Sequence, residues 1–258
     1  MINQYQVLLF LFHPKFLFFY LYLIYSIHLN NYPFSKEIYV NKKTIDYTPY
    51  TFQTNGKIWE YESVEYFFSL INENSNSNII DIGAQTGLYS LYAKYLPKCN
   101  IYAFEPFPIS CEILRENLLL NNINNVEVYN CGIGLQNEIK TLHVPQNHLG
   151  LNTFGSNPLR FDQWVDINVP VLKLDDIFIN KDVNYIKCDT EGWEYNILKG
   201  GEEIIEKNKP DIFLEINEIN LKQCNSNKED IFDLLKSYDY KLINIKNDEN
   251  FHFSNKQY

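Results

Sequence analysis

The chain has 258 residues, 45% of them hydrophobic, which is enough for one catalytic-size domain with a buried core. Its formal charge is −10 with 22 basic residues and no dense basic run, so a polyanion would bind against the average field and nucleic acid is disfavoured as a partner. Cys99, Cys111, Cys131, Cys188 and Cys224 are scattered, odd in number and without a C-x-x-C pair, so they indicate neither a disulfide framework nor a zinc site and read as core residues in a reducing compartment.

Residues 1–30 form a hydrophobic N-terminal segment. Val7 to Leu29 is its most apolar stretch, but Pro14 and Lys15 interrupt it. The uninterrupted part, Phe16 to Leu29, is shorter than the roughly 20 residues a membrane-crossing helix needs. Met1 to Gln6 has no basic side chain, as a signal peptide would require. Three readings stay open: a signal-anchor kinked at Pro14, a membrane-surface or partner-docking helix, and a leader translated from an early start codon. The location is accordingly cytoplasmic, or membrane-anchored through residues 7–29 with a cytoplasmic domain. Residues 31–55 read as a linker and 56–258 as the catalytic domain.

From Tyr61 the pattern alternates. Val64, Phe67, Phe68 and Ile71 have helical spacing over Tyr61 to Ile71, and Asn78 to Gly83 is a short apolar run that reads as a buried strand. A helix is expected at Leu88 to Tyr95, a strand at Asn100 to Pro106, a helix at Ser110 to Leu120 and a third strand at Val126 to Gly134. The repeat then breaks. Lys140 to Pro145 and Asp166 to Leu174 read as paired strands around a Gly/Asn-rich loop, Asn147 to Pro158, that could line a substrate site. Alternation resumes with the strand YIKCDT, a helix over Glu194 to Lys207, a strand at Asp211 to Ile216, a helix at Lys228 to Ser237 and a strand at Tyr240 to Ile245. Residues 247–254 then supply a turn and one more strand. The class is α/β: a Rossmann-like, doubly wound, mostly parallel sheet ending in an antiparallel hairpin.

Open sheets of this kind keep ligands at the carboxyl ends of their strands. The first strand ends in DIGAQTG, Asp81 to Gly87, which lacks the G-x-G-x-x-G of dinucleotide sites. A carboxylate at Asp81 would repel a pyrophosphate but suits a cationic amino-acid moiety. Gly83 and Gly87 let backbone approach a ligand closely. Glu105 ends the second strand, where an acid accepts hydrogen bonds from ribose hydroxyls. Together these describe S-adenosylmethionine better than a dinucleotide.

The segments NIIDIGAQTGLYSL, IYAFEP, VEVYNCGIG, LKLDDIF, IKCDTEGWEYNILKGGEEII and KPDIFLEIN resemble, in order and spacing, the FkbM-type methyltransferases over roughly Gly56 to Asn217. The resemblance implies an S-adenosylmethionine-dependent enzyme that methylates hydroxyls of sugars or other small metabolites, so the partner is a small-molecule or glycan acceptor. It matches Asp81, Gly83 and Gly87 to the cofactor turn and Glu105 to the ribose-binding acid. Asn130 and Cys131 fall where the family borders the adenine. WEYE, Trp59 to Glu62, resembles an acidic motif ahead of the first strand, which makes Glu60 or Glu62 a holder of the cofactor's amine. Gln85 departs from a usual Asn, and NCG from an Asn-Ala-Ala-like turn.

In an extended strand positions i and i+2 share a face, so Asp189 and Glu191 would stand together at a strand end. Methyl transfer to an alcohol requires alignment and removal of the hydroxyl proton, and a like charge nearby would raise a carboxylate's pKa for that task. Asp189 is read as the base or acceptor-orienting group and Glu191 as its partner. The competing reading is structural, with Glu191 holding the turn and Asp189 a loop. Mg²⁺ would suit the pair, but two ligands are too few to assert one. His143, His148 and His252 read as surface or packing residues. Two other functions stay open: a binding module that lost turnover, and an N-directed methyltransferase, which would more often carry an N/D-P-P-Y/F segment where this chain has DTEG.

Overall fold

The computed structural model describes residues 24–28, 37–41, 61–145, 150–156 and 163–256. Ile24–His28 (β1) and Glu37–Asn41 (β2) pair antiparallel, with Ile24 opposite Asn41. A helix through Phe16 to Leu29 therefore does not hold over Ile24–His28, where β-branched and aromatic residues favour a strand. The boundary read at residue 30 falls between these paired strands. The rest of the hydrophobic segment lies outside the described residues. Among the described residues no helix is long and apolar enough to cross a membrane.

The first half of the domain runs α1 (Tyr61–Ser69), β3 (Asn78–Ile82), a 3-10 helix (Ser90–Tyr95), β4 (Asn100–Phe104), α2 (Pro108–Leu120) and β5 (Val126–Tyr129). Then come β6 (Gly132–Gly134), β7 (Glu138–Pro145), β8 (Trp164–Lys173) and α3 (Leu174–Phe178). The second half runs β9 (Tyr185–Cys188), α4 (Glu194–Gly200), α5 (Glu202–Asn208), β10 (Asp211–Glu215), α6 (Glu218–Gln223), α7 (Lys228–Ser237), β11 (Lys241–Lys246) and β12 (Asn250–Ser254). The main sheet has the order β11-β12-β10-β9-β3-β4-β5. Its strands β10, β9, β3, β4 and β5 are mutually parallel, while β12 is antiparallel to both β10 and β11. This is the expected Rossmann-like α/β sheet ending in a hairpin.

Alternation along each strand sorts side chains into two layers. Ile79, Ile101, Ala103, Tyr185 and Phe213 face α1 and the 3-10 helix, where they pack with Val64, Phe67, Leu91 and Tyr92. Ile80, Ile82, Phe104, Ile186, Cys188, Ile212 and Leu214 fill the opposite core with Phe178, Ile197 and Ile204. Each fully buried Ile, Leu, Val or Phe among them contributes about 1.5–3 kcal/mol relative to exposure. Asp81 and Lys187 belong by alternation to the first face, one position past Ile80 and Ile186. They are charged residues within an apolar layer.

Four segments differ from the expected pattern. Residues 90–95 wind as a 3-10 helix, with Ser90, Leu91, Tyr92, Ala93 and Tyr95 all buried. The third strand divides into β5 and β6 because the Asn130 side chain donates to the Glu105 and Pro106 carbonyls, which takes the chain out of the main sheet. β6 instead joins a three-stranded sheet in the order β6-β8-β7, in which β7 and β8 pair antiparallel. The helix expected over Glu194 to Lys207 breaks at Gly201. A further helix, α6, is capped by Asn217, whose side chain accepts from the Ile219 and Asn220 N–H groups.

Candidate active site

Asp81 and Lys187 are register partners on adjacent parallel strands, so both side chains leave the same face near the strands' carboxyl ends. Lys187 is only 4% exposed. Its ammonium lies 3.6 Å from Asp81 Oδ1 and 3.5 Å from Asp189 Oδ2. It donates to the Gly83 carbonyl at 3.4 Å and sits 4.7 Å from the centre of the Tyr89 ring. Ser90 Oγ donates to Asp81 Oδ2 at 2.6 Å, whereas Asp81 Oδ1, also buried, accepts no hydrogen bond. Burial pushes the Asp81 carboxyl above the usual range, and Lys187 draws it part of the way back.

Glu105 follows β4. Its Oε2 accepts from the Gln85 N–H at 2.9 Å and its Oε1 from the Phe107 N–H at 2.8 Å. Burial lifts its pKa to about 7 in spite of those two donors, and Lys187 is near enough to lower it. Three carboxylates, Asp81, Glu105 and Asp189, thus share the field of one ammonium. Asn130 spends its amide on the carbonyls around Glu105 and so fixes that corner. Cys131 is a core thiol, pushed to about 12 by burial.

The chain's own packing requires glycine at both ends of the glycine turn. Gly83 and Gly87 both have positive φ. A Cβ on Gly83 would meet the Asp189 carbonyl oxygen, and one on Gly87 would lie 2.5 Å from Leu114 Cδ1. Gln85 between them is also left-handed, at φ 50°.

The two acids that open this site from the fourth strand are not on one extended face. β9 ends at Cys188, and Glu191 has φ 54°, so the i, i+2 alternation stops before it. Asp189 donates its N–H to the Ile82 carbonyl and turns its half-exposed carboxylate to Lys187. Glu191 Oε2 accepts from Asn220 at 2.6 Å, and its carbonyl accepts from Thr153 Oγ1 at 3.0 Å. The carboxylate that organises the turn is Glu194. Its Oε1 accepts from the Thr190 N–H and hydroxyl and from the Gly192 N–H, while its Oε2 is buried and unpartnered, and burial raises its pKa to about 7.

Glu62 is exposed in the first turn of α1 and joins none of these contacts, and Glu60 lies outside the described residues. His143 pairs with Asp166 at 2.7 Å, His252 is buried between Tyr66 and Asp211, and His148 lies outside the described residues. Among the described residues no three His, Cys, Asp or Glu side chains converge as metal ligands. Sequence reading passed over Lys187 and Glu194. A lysine between Ile186 and Cys188 in a buried strand is the signal for the first, and the third acid of D-x-E-G-x-E for the second.

A parallel sheet closed by an antiparallel hairpin, with an acid-glycine turn after its first strand, defines a Rossmann-like methyltransferase fold. The chain belongs to the FkbM methyltransferase family: the family model described as Methyltransferase FkbM domain matches residues 81–242, more than half of it. It is similar to Methyltransferase 1 of Beauveria bassiana, 28% identical over 145 residues, covering 48% of this chain and 58% of that protein. It is also similar to Methyltransferase sdnD of Sordaria araneosa, 29% identical over 170 residues, covering 54% of this chain and 66% of that one. The chain thus spans less than two thirds of the length of either relative. The crystal structure of Methyltransferase FkbM from Methylobacillus flagellatus is 22% identical, with a TM-score of 0.49, over 74% of this chain and 46% of that one.

Proposed function

We propose that the chain is an S-adenosylmethionine-dependent methyltransferase that methylates a hydroxyl of a sugar or another small metabolite. The observation that carries this reading is the gathering of acid at the sheet edge: among the described residues, Asp81, Glu105 and Asp189 lie around the ammonium of Lys187, with a buried Asp81 oxygen that accepts no hydrogen bond. S-adenosylmethionine bears a sulfonium and an ammonium against one carboxylate, so its net charge complements such a site, and a pyrophosphate does not. Asp81 Oδ1 would receive the amine. Each Glu105 oxygen has one N–H partner and keeps a second lone-pair direction for a ribose hydroxyl. When bound, the cofactor supplies a methyl group activated by its sulfonium.

The remaining task is to orient the acceptor oxygen and take its proton. Asp189 is the member of the acid group open to solvent, its side chain 31% exposed, and it is the residue for that task. Glu191 holds the turn through Asn220. Its carbonyl also anchors Thr153, which ties residues 150–156 to the acid turn and makes that loop the acceptor's wall. The five thiols, all unpaired and buried, fit work in a reducing compartment such as the cytoplasm.

Titration calorimetry with S-adenosylmethionine and S-adenosylhomocysteine, followed by labelled-methyl transfer to a panel of sugars and hydroxylated metabolites, tests the reading. Binding with transfer to hydroxyls is the expected result. Transfer to amines alone would move the activity to nitrogen, and failure of both nucleosides to bind would overturn the cofactor assignment.

A further inference from the structure

We propose that Lys187 couples the cofactor end of the site to the acceptor end, as a positioning residue whose ammonium is shared by Asp81 and Asp189 and yields toward Asp189 when the cofactor's amine takes Asp81. The inference rests on reading Asp81 as the partner of that amine.

The geometry is that of a divided charge. Committed ammonium–carboxylate pairs close to about 2.7–2.9 Å, but Lys187 stands at 3.6 Å from one acid and 3.5 Å from the other. It is buried on a central strand beneath the Tyr89 ring, so its head cannot reach bulk water as surface lysines do. A flexible stem with three rotatable donors lets it shift from one acid toward the other. Ser90 fixes one Asp81 oxygen, which leaves Oδ1, the oxygen that faces Lys187, as the place where a second cation would compete. Glu105 lies within the field of both groups and adds to the demand for positive charge. Arrival of the cofactor's amine would release Lys187 from Asp81, and the ammonium would then hold the half-exposed Asp189 carboxylate in one orientation for the acceptor.

A binding cycle tests this without turnover. S-adenosylhomocysteine carries the amine, whereas 5′-methylthioadenosine lacks the amino-acid moiety. Asp189→Asn should commit Lys187 to Asp81 and weaken S-adenosylhomocysteine by about fivefold or more, leaving methylthioadenosine unchanged. In a Lys187→Met background the Asp189→Asn effect should vanish to within about twofold. Equal weakening with and without Lys187 would mean that Asp189 acts on the amine directly, and no weakening in the Lys187 protein would mean that nothing is transmitted; either overturns the coupling. Lys187→Met leaves Asp81 buried without its countercharge and so endangers folding. The ¹⁵Nζ resonance of Lys187 in the unaltered protein, assigned by its loss in Lys187→Arg, gives the second measurement. It should shift with S-adenosylhomocysteine and stay in place with methylthioadenosine, and a signal indifferent to S-adenosylhomocysteine overturns the proposal. If neither nucleoside binds the unaltered protein, the cofactor reading itself has failed, an outcome distinct from binding without coupling.

Discussion

Gly83 and Asp189 meet backbone to backbone: a Cβ built on Gly83 would lie 1.8 Å from the Asp189 carbonyl oxygen. Gly83→Ala must therefore separate the ends of β3 and β9 as well as adopt a positive φ. The expected cost is about 3 kcal/mol or more, read as a fall in the urea midpoint of the apo protein. A midpoint that does not change would show that the two turns are free to part.

Asp81→Ala and Glu105→Ala should each weaken S-adenosylmethionine binding by about 1–3 kcal/mol, the range for a lost charge-assisted hydrogen bond. Calorimetry is the measurement. Unchanged affinity in both variants would remove the assignment of this edge to the cofactor.

Burial holds Glu105 and Glu194 at about 7, above the roughly 4.3 of an exposed glutamate. Between these values the folded chain keeps protons that the unfolded chain has released. Their contribution to stability is complete below the unfolded value and is lost as pH rises through about 7, at up to about 1.4 kcal/mol per pH unit for each group. Thermal midpoints of the ligand-free protein between pH 5 and 7.5 should fall less steeply in Glu194→Gln, which is neutral throughout. Parallel slopes for the two proteins would contradict the raised pKa.

If Asp189 handles the acceptor proton, Asp189→Asn should lower turnover by roughly 10²–10⁴-fold, far more than it lowers cofactor affinity, and should abolish the rising limb of the pH–rate profile. Glu191→Gln should do less harm, since a glutamine oxygen can still accept from Asn220. Near-normal turnover in Asp189→Asn, measured on the true acceptor, would reduce Asp189 to a structural role.

Gln85 holds a left-handed conformation that asparagine tolerates better. Gln85→Asn should raise stability by a few tenths of a kcal/mol to about 1 kcal/mol without loss of the N–H donated to Glu105. A lower melting temperature would show that the Gln85 side chain makes a contact worth more than the relieved strain.

The acids Asp81 and Glu105 were legible in the sequence because one precedes the glycine turn and the other closes an apolar run, and the sheet was legible because such runs alternate with helical spacing. Lys187 was not, since its role depends on register with Asp81, 106 positions earlier in the chain. Glu191 misled because its left-handed φ breaks the alternation that a strand reading extends through it. The division of β5 from β6 turns on which carbonyls Asn130 captures, and that is fixed only when β4 lies beside it. Likewise α6 follows the strand after Ile216 and Asn217 alone and is six residues long, too short to show a helical period in the sequence.

Gly200, the last residue of α4, touches Gly134 of β6 so closely that a Cβ would lie 1.9 Å from the Gly134 carbonyl oxygen. Two bare backbones in contact leave no slack between them. The three-stranded sheet that carries β7 and β8 is thereby seated on the helix that begins at Glu194, the carboxylate that shapes the acid turn. That carboxylate accepts from the Thr190 and Gly192 N–H groups, so a tilt of the sheet would bear on the turn that follows Asp189. Thr153, paired with His143 on β7, donates its hydroxyl to the Glu191 carbonyl, so the same sheet reaches the acid turn by a second route, and a change of sequence at Thr153 is felt where the proton is handled.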